Sequence, residues 1–309
     1  MEHFEQAWES SKVYHRRMRG SSLFALFAGA IFIALSPIWV RVSEVGPTAS
    51  AFWRVGLAAP LLWILFFSYK TTEKKTVFLE WRSMLVAGLA FAGDLVFWHW
   101  SIRYTSVANS TLLANLASIF VTLAAWVLWK QRPTGLFLAG LAAALLGTGL
   151  LVRVSIGASP GALLGDGLGV ITAMFYAWYL MSVKGLRERG AATLQLMAVT
   201  TTVTAAILLP VALASAQLSG QPLLPQSGEG WLKLLGLAWI SHAAGQGLIA
   251  YALAKLPAAF SAAGLLLQPV LAAGFAWLLL AEPLSSIQCL GGAIVLAGLY
   301  LAHRGSRPA

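Results

Sequence analysis

A carboxylate stands where carboxylates are costly. Asp94 lies about ten residues into an apolar stretch over 84–103, with Trp98 and His99 close behind it. At 1.5 Å per helical residue that is near the centre of a bilayer, where a charge costs about 2.5–3.5 kcal/mol on insertion scales. Arg54 sits about two turns inside the preceding apolar stretch. Two readings of Asp94 stand side by side. In one it binds an amino group or a coupling proton inside a cavity; in the other it pairs with Arg54 to hold two helices together. For Arg54 itself a structural or snorkelling role is the favoured reading.

Further polar groups recur at helical spacing. Thr111, Asn115, Ser118 and Thr122 follow one another at intervals of 4, 3 and 4, which places them on one helical face. Such a face lines water or hydrogen-bonds a neighbouring helix. His242 and Gln246 are four apart, with Gly245 and Gly247 flanking the glutamine. Gln268 precedes Pro269, whose missing N–H frees a carbonyl of the turn before. Trp98 and Tyr176 are the aromatics placed to wall a cavity and stack on a solute. Asp94, Trp98, His99, Asn115, Tyr176, His242, Gln246 and Gln268 are therefore the candidate substrate-binding residues. Ser36-Pro37 and Pro269 are candidate hinges.

The elements that must position these groups are legible in the composition. Of 309 residues, 59% are apolar or aromatic and 10% charged, with mean hydropathy +0.76. Soluble domains carry about 25% charge, so a soluble enzyme, a disordered chain and a secreted disulfide scaffold are excluded. The single cysteine, Cys289, allows no internal disulfide. Reading for about 20 apolar residues per crossing gives ten spans: 21–42, 47–69, 84–103, 107–129, 134–153, 162–183, 192–214, 231–253, 258–280 and 285–303. Short connections leave no room for a soluble domain.

The basic residues orient the spans. Arg41, Arg103, Arg153 and Lys233 are the only ones in segments on one side, while Lys12, Arg16, Lys70, Lys75, Arg82, Lys130, Arg132, Lys184, Arg187, Arg189, Lys255 and Arg304 are among those on the other. By the positive-inside rule both termini are cytoplasmic, in a cell (inner or plasma) membrane. The net charge of +10 is thus mainly a topology signal and nucleic acid is not an expected partner. Residues 1–20 form a cytoplasmic tail, not a cleavable signal, in which Phe4, Trp8 and Met18 beside Lys12 and Arg16 suit either an interfacial helix or, at least equally, a frayed tail.

The chain also repeats itself. At an offset of 151, Ala125-Trp126-Val127-Leu128 meets Ala276-Trp277-Leu278-Leu279, Ser110 meets Ser261, Gly140 meets Gly291 and Gly147 meets Gly298. Five spans per copy is an odd number, so the second copy enters the membrane reversed. The expected architecture is an all-α polytopic membrane protein of ten helices, as two inverted five-helix repeats over 21–155 and 156–303, with a tail at 304–309. Such pseudo-symmetry suits a carrier that exchanges the conformations of its halves about a midplane site.

At this level the chain resembles the drug/metabolite transporter superfamily, EamA type. The resemblance is carried by Tyr104-Thr-Ser-Val-Ala-Asn-Ser-Thr-Leu-Leu-Ala-Asn-Leu through Pro133, by Gln268-Pro269-Val270 through Ala281-Glu282-Pro283, and by Gly165-Asp166. It implies transport of amino acids or other small metabolites, often outward. Ser118 and Gln131 stand where the family has Pro and Glu in its fourth span, which implies a less kinked first half.

No P-loop or dinucleotide fingerprint is present, so no ATP-driven step is expected in this chain. An intramembrane aspartyl protease needs two aspartates at one depth, and Asp94 and Asp166 lie at different depths. The expectation is a secondary transporter, not an enzyme, working by alternating access. It takes a small-molecule substrate, most readily an amino acid, with a possible coupling proton on Asp94, His99 or His242. It needs no cofactor, metal or soluble subunit, as a monomer or weak homo-oligomer in the lipid bilayer. The alternative is a channel-like facilitator or an intramembrane enzyme.

Overall fold

A computed structural model describes residues 20–68, 80–104, 107–152, 162–281 and 283–306. The stretch around Phe4 and Trp8, expected as an interfacial helix or a frayed tail, and Glu282 lie outside these residues. The described residues contain helices and no strand. We label them α1 (Gly20–Arg41), α2 (Pro47–Ser68), α3 (Trp81–Tyr104), α4 (Val107–Ala114 and Ala117–Trp129), α5 (Gly135–Val152), α6 (Ala162–Glu188), α7 (Thr193–Ser219), α8 (228–253), α9 (Ala258–Leu280) and α10 (Ser286–Gly305). Eight are long and apolar enough to cross a membrane; α5 is apolar but shorter, over Gly135–Leu151, and α8 is interrupted. The protein is an all-helical, multi-pass membrane protein. Its outward side chains, among them Phe24, Leu128, Leu163 and Leu278, are apolar and exposed, as hydrocarbon rather than water demands.

Spans six and seven run further than hydropathy predicts, to Glu188 and Ser219, because a helix continues past the hydrocarbon edge wherever no breaker stops it. Gly220, in the left-handed region at φ +67°, ends α7. Span eight starts earlier, where Ser227 caps the helix by accepting from the Gly230 N–H at 2.9 Å.

Five helices are broken, α2 among them at Leu57, and the breaks in the others position the chemistry. The α-helical ladder of α1 lapses at Leu35, before Ser36-Pro37. Both α4 and α9 lapse mid-span, at Asn115–Leu116 and Leu265–Leu266. The α9 break has Pro269 beyond it; the α4 break has no proline, yet the helix lapses there too. There, Ser118 turns its own N–H (3.2 Å) and its hydroxyl (2.9 Å) back onto the Asn115 carbonyl, holding the same tight turn without proline. The α4 and α9 ends also match: Lys130 and Ala281 occupy the left-handed region at φ 57° and 54°, donating to Ala125 and Ala276. In α8, residues Gly236–Gln246 form a π-helix, which the apolar pattern did not announce.

α5 and α10 pack backbone against backbone. A Cβ on Gly298 would stand 2.6 Å from the Gly140 carbonyl oxygen and 2.5 Å from the Ala144 nitrogen. A Cβ on Gly147 would stand 2.7 Å from the Gly291 carbonyl oxygen and from the Val295 nitrogen. The pairing runs antiparallel and swaps the offset-151 partners: Gly140 meets the mate of Gly147, and Gly147 the mate of Gly140. In α3 and α8 the same exchange occurs at one point, where Phe91 stacks on His242, its own offset mate, with centroids 5.4 Å apart.

Backbone-to-backbone contact has no room for a methyl group. Gly298→Ala is expected to destabilise the detergent-solubilised protein by about 1–3 kcal/mol, the cost of overpacking. Gly274→Ala, in α9 with nothing within 4 Å of its Cβ position, serves as control and leaves the melting temperature unchanged or higher. Thermal unfolding of the two variants beside the parent checks this.

Candidate functional site

Residues beside the breaks in α1, α4 and α9 line a cavity of about 150 Å³ that is partly open to the exterior, smaller than the roughly 300–1,000 Å³ of drug-sized sites and suited to a small solute or a few waters. From α1 come Ile33, Ser36 and Pro37; from α2, Arg54; from α3, Phe91, Asp94, Leu95 and Trp98; from α4, Thr111 and Asn115; from α6, Tyr176; from α8, Gln246; from α9, Gln268 and Pro269. Seven helices thus converge where backbone regularity is poorest. Irregular backbone at membrane depth is tolerated only where it is buried in protein or lines a cavity.

The cavity is short of internal partners. Arg54 Nε, Asn115 Nδ2, Gln246 Oε1, Gln268 Nε2 and Ser36 Oγ are buried without a hydrogen-bond partner. Tyr176 hydrogen-bonds the Gln246 side chain and lies on Tyr179, with centroids 6.1 Å apart. Buried polar groups are normally paired, so a cluster of unpaired donors and acceptors around one space marks a site for a polar solute or water. Asp94 and Arg54 face the same cavity without closing an ion pair; among the described residues the ion pairs are Lys184–Glu188, Glu80–Arg189 and Glu229–Lys233.

Of the residues singled out by sequence, Asp94, Trp98, Asn115, Tyr176, Gln246, Gln268, Thr111, Pro37 and Pro269 are brought together here. Four are placed elsewhere. His99 is buried with Nδ1 at 2.6 Å from the Leu95 carbonyl oxygen, its ring edge-on to Trp98 at 4.8 Å. His242 is buried behind Phe91 and bonded through Nε2 to the Thr201 hydroxyl at 2.9 Å. Ser118 serves the α4 break. Thr122 donates to the Ser118 carbonyl at 2.7 Å and lines a second cavity. Sequence reasoning passed over Arg54 as a cavity group and Ser36 as more than part of a hinge. The signals were present: an arginine at membrane depth, and a hydroxyl beside a helix-breaking proline.

Each end of the bundle carries a polar tie between distant segments. At one end Glu44 accepts the Gln226 N–H at 2.8 Å, the Ser227 N–H at 3.1 Å and the Ser227 hydroxyl. At the other end Arg189 grips Glu80 through two bonds of 2.9 and 3.2 Å. The Ser227 hydroxyl, then the Gln226 N–H, hold the Glu44 carboxyl below the usual range. The Arg189 hydrogen bonds, then Ser83, do the same for Glu80.

The model described as the EamA-like transporter family matches this chain twice, over residues 20–153 and 163–304. A protein of Archaeoglobus fulgidus described as an uncharacterized transporter is 28% identical over 268 residues, spanning 85% of this chain and 90% of its own length. A solved crystal structure superposes with a TM-score of 0.70 at 17% identity, over 94% of this chain and 99% of the other. That last likeness concerns the fold alone.

A depressed carboxyl stabilises the folded state above the ordinary glutamate range, and that stabilisation is lost as pH falls through the folded value. Glu44→Gln should therefore melt below the parent at pH 7, with the gap closing as pH drops under about 4.3. Melting curves of both proteins across pH 3.5–7, read as approximate set points of the titration, check the sign.

Proposed function

This chain belongs to the EamA-like transporter family, and from that premise we propose that it is a secondary carrier of small zwitterions, amino acids first among them. The observation that carries the proposal is the composition of the cavity: Asp94 and Arg54 together, with no ion pair closed between them, among the amides of Asn115, Gln246 and Gln268, each of which keeps one buried atom without a partner. Asp94 takes the ammonium group, Arg54 the carboxylate, and the amides the remaining polar atoms. Trp98 and Tyr176 give the side chain of the solute an aromatic wall.

The mechanism is alternating access between two inverted five-helix halves, roughly 21–155 and 156–303. Two features support the inversion: the swapped glycine pairs of α5 and α10, and Phe91 stacked on its own offset mate His242. A residue that touches its own mate lies on the axis relating the halves, and the cavity abuts that residue. The breaks at Ser36-Pro37, Asn115–Leu116 and Leu265–Leu266 are where the helices bend. Both termini lie in the cytoplasm of a cell whose plasma or inner membrane holds the carrier, and net movement is outward.

The test is uptake of labelled amino acids into proteoliposomes, with and without a pH gradient. Saturable uptake by the parent is expected. Asp94→Asn should raise the half-saturation concentration about 10- to 100-fold, the loss of one charge-assisted hydrogen bond. Arg54→Gln should do likewise while leaving tolerance for amines that lack a carboxylate. Uptake that is gradient-driven in the parent and gradient-blind in Asp94→Asn assigns the coupling proton to Asp94. If no amino acid in the panel enters, the substrate proposed here is wrong.

A further inference from the structure

The second cavity, of about 590 Å³ and also partly open, lies at the Glu80–Arg189 end of the bundle. It gathers Arg132 from the α4–α5 connection, Lys184 from α6 and Lys255 from the α8–α9 connection, with Thr122, Thr134 and Ser306 beside them. Among the described residues no aspartate or glutamate lines it. Lys184 is buried and bonded to Glu188 at 2.8 Å, which answers one of the three positive charges. Arg132 and Lys255 are exposed and have no ion-pair partner among the described residues. A concave site with an uncompensated positive charge concentrates anions at its mouth, and hydroxyl and guanidinium donors around it suit a carboxylate or phosphate group.

The polar face of α4 joins this cavity to the first. Thr111 and Asn115 line the one and Thr122 the other, with buried Ser118 between them. We infer that the second cavity is an anion-binding vestibule, in which Arg132, Lys184 and Lys255 hold the carboxylate or phosphate of a solute on its way along the α4 face. Its place on the path rests on the carrier reading above; the binding of an anion there does not.

Lysine reactivity tests the binding directly. The full chain, in discs of neutral phosphatidylcholine, is pulsed with an amine-reactive reagent, and modification of each lysine is followed by peptide mass spectrometry. Inorganic phosphate is the probe, against sodium chloride at equal ionic strength. Phosphate is expected to slow modification of Lys255 by about threefold or more while sparing Lys130, which lies at the same end but outside the cavity, and Arg132→Gln should remove the protection. Equal responses of Lys255 and Lys130, or protection that survives Arg132→Gln, would overturn the proposal. A lipid headgroup offers the same phosphate chemistry. If discs containing phosphatidylglycerol protect Lys255 with no phosphate added, the occupant is a lipid and the solute assignment fails. Since labelling requires no transport, a carrier that moves none of the tested amino acids still gives a clear answer here.

Discussion

Inside hydrocarbon a backbone N–H or carbonyl without a partner costs several kcal/mol, because no water is there to take it. That constraint makes every described span a helix, and it makes each lapse in a helix informative. At the α4 break Ser118 serves the Asn115 carbonyl with both its N–H and its hydroxyl. At the α9 break the Gln268 N–H falls back on Leu265, and Pro269 contributes no donor at all. The chain satisfies the backbone at these points and leaves side chains unsatisfied around the cavity instead: Asn115, Gln246, Gln268 and Arg54. Selection for stability alone would fill such a space with leucine. A space whose walls are unpaired donors and acceptors is kept for something polar that comes and goes.

The second organising fact is that the contact between α5 and α10 is made by backbone. Without a hydrophobic drive between helices in lipid, close approach through small residues supplies dispersion contacts that larger side chains would prevent. Gly140, Gly147, Gly291 and Gly298 therefore form a seam between two helices that contribute no residue to the lining of the first cavity. The seam and the Phe91–His242 stack are both crossed by residues meeting the offset mates of one another or of themselves. A close-packed seam together with breaks in α1, α4 and α9 is the arrangement that the proposed alternating-access mechanism calls for.

Much of this was readable in the chain, for a reason tied to the solvent. A bilayer tolerates so few polar residues that each one in an apolar run stands out, and Asp94, Asn115, Tyr176, Gln246 and Gln268 were all picked out and all line one cavity. The spacing of Thr111, Asn115, Ser118 and Thr122 gave their shared face but not their division between two cavities, which depends on where the helix breaks. The histidines misled for a related reason. His99 and His242 each bond through one ring nitrogen, to Leu95 and Thr201, and lie outside the cavity lining, while the other ring nitrogen of each stays buried without a partner. The π-helix of α8 could not be read, since a shift from i→i−4 to i→i−5 bonding changes no residue type; Gly236, Gly245 and Gly247 mark only that the backbone there is free to choose.

Arg54 is where sequence reasoning and structure part most usefully. Alone, an arginine two turns inside a span reads as a snorkelling residue that reaches for the interface. With Asp94 in the same cavity it reads as a counter-ion, and a closed pair would neutralise the site. The pair is not closed, and the Arg54 Nε has no partner. Two opposite charges held apart in a low-dielectric space stabilise whatever bridges them more than they stabilise each other. A solute with both charges on one small frame is the natural bridge. Under the proposed carrier reading the two charges would select together: a lone amine would leave Arg54 unanswered and a lone acid would leave Asp94 unanswered, each penalised by the buried charge it fails to meet.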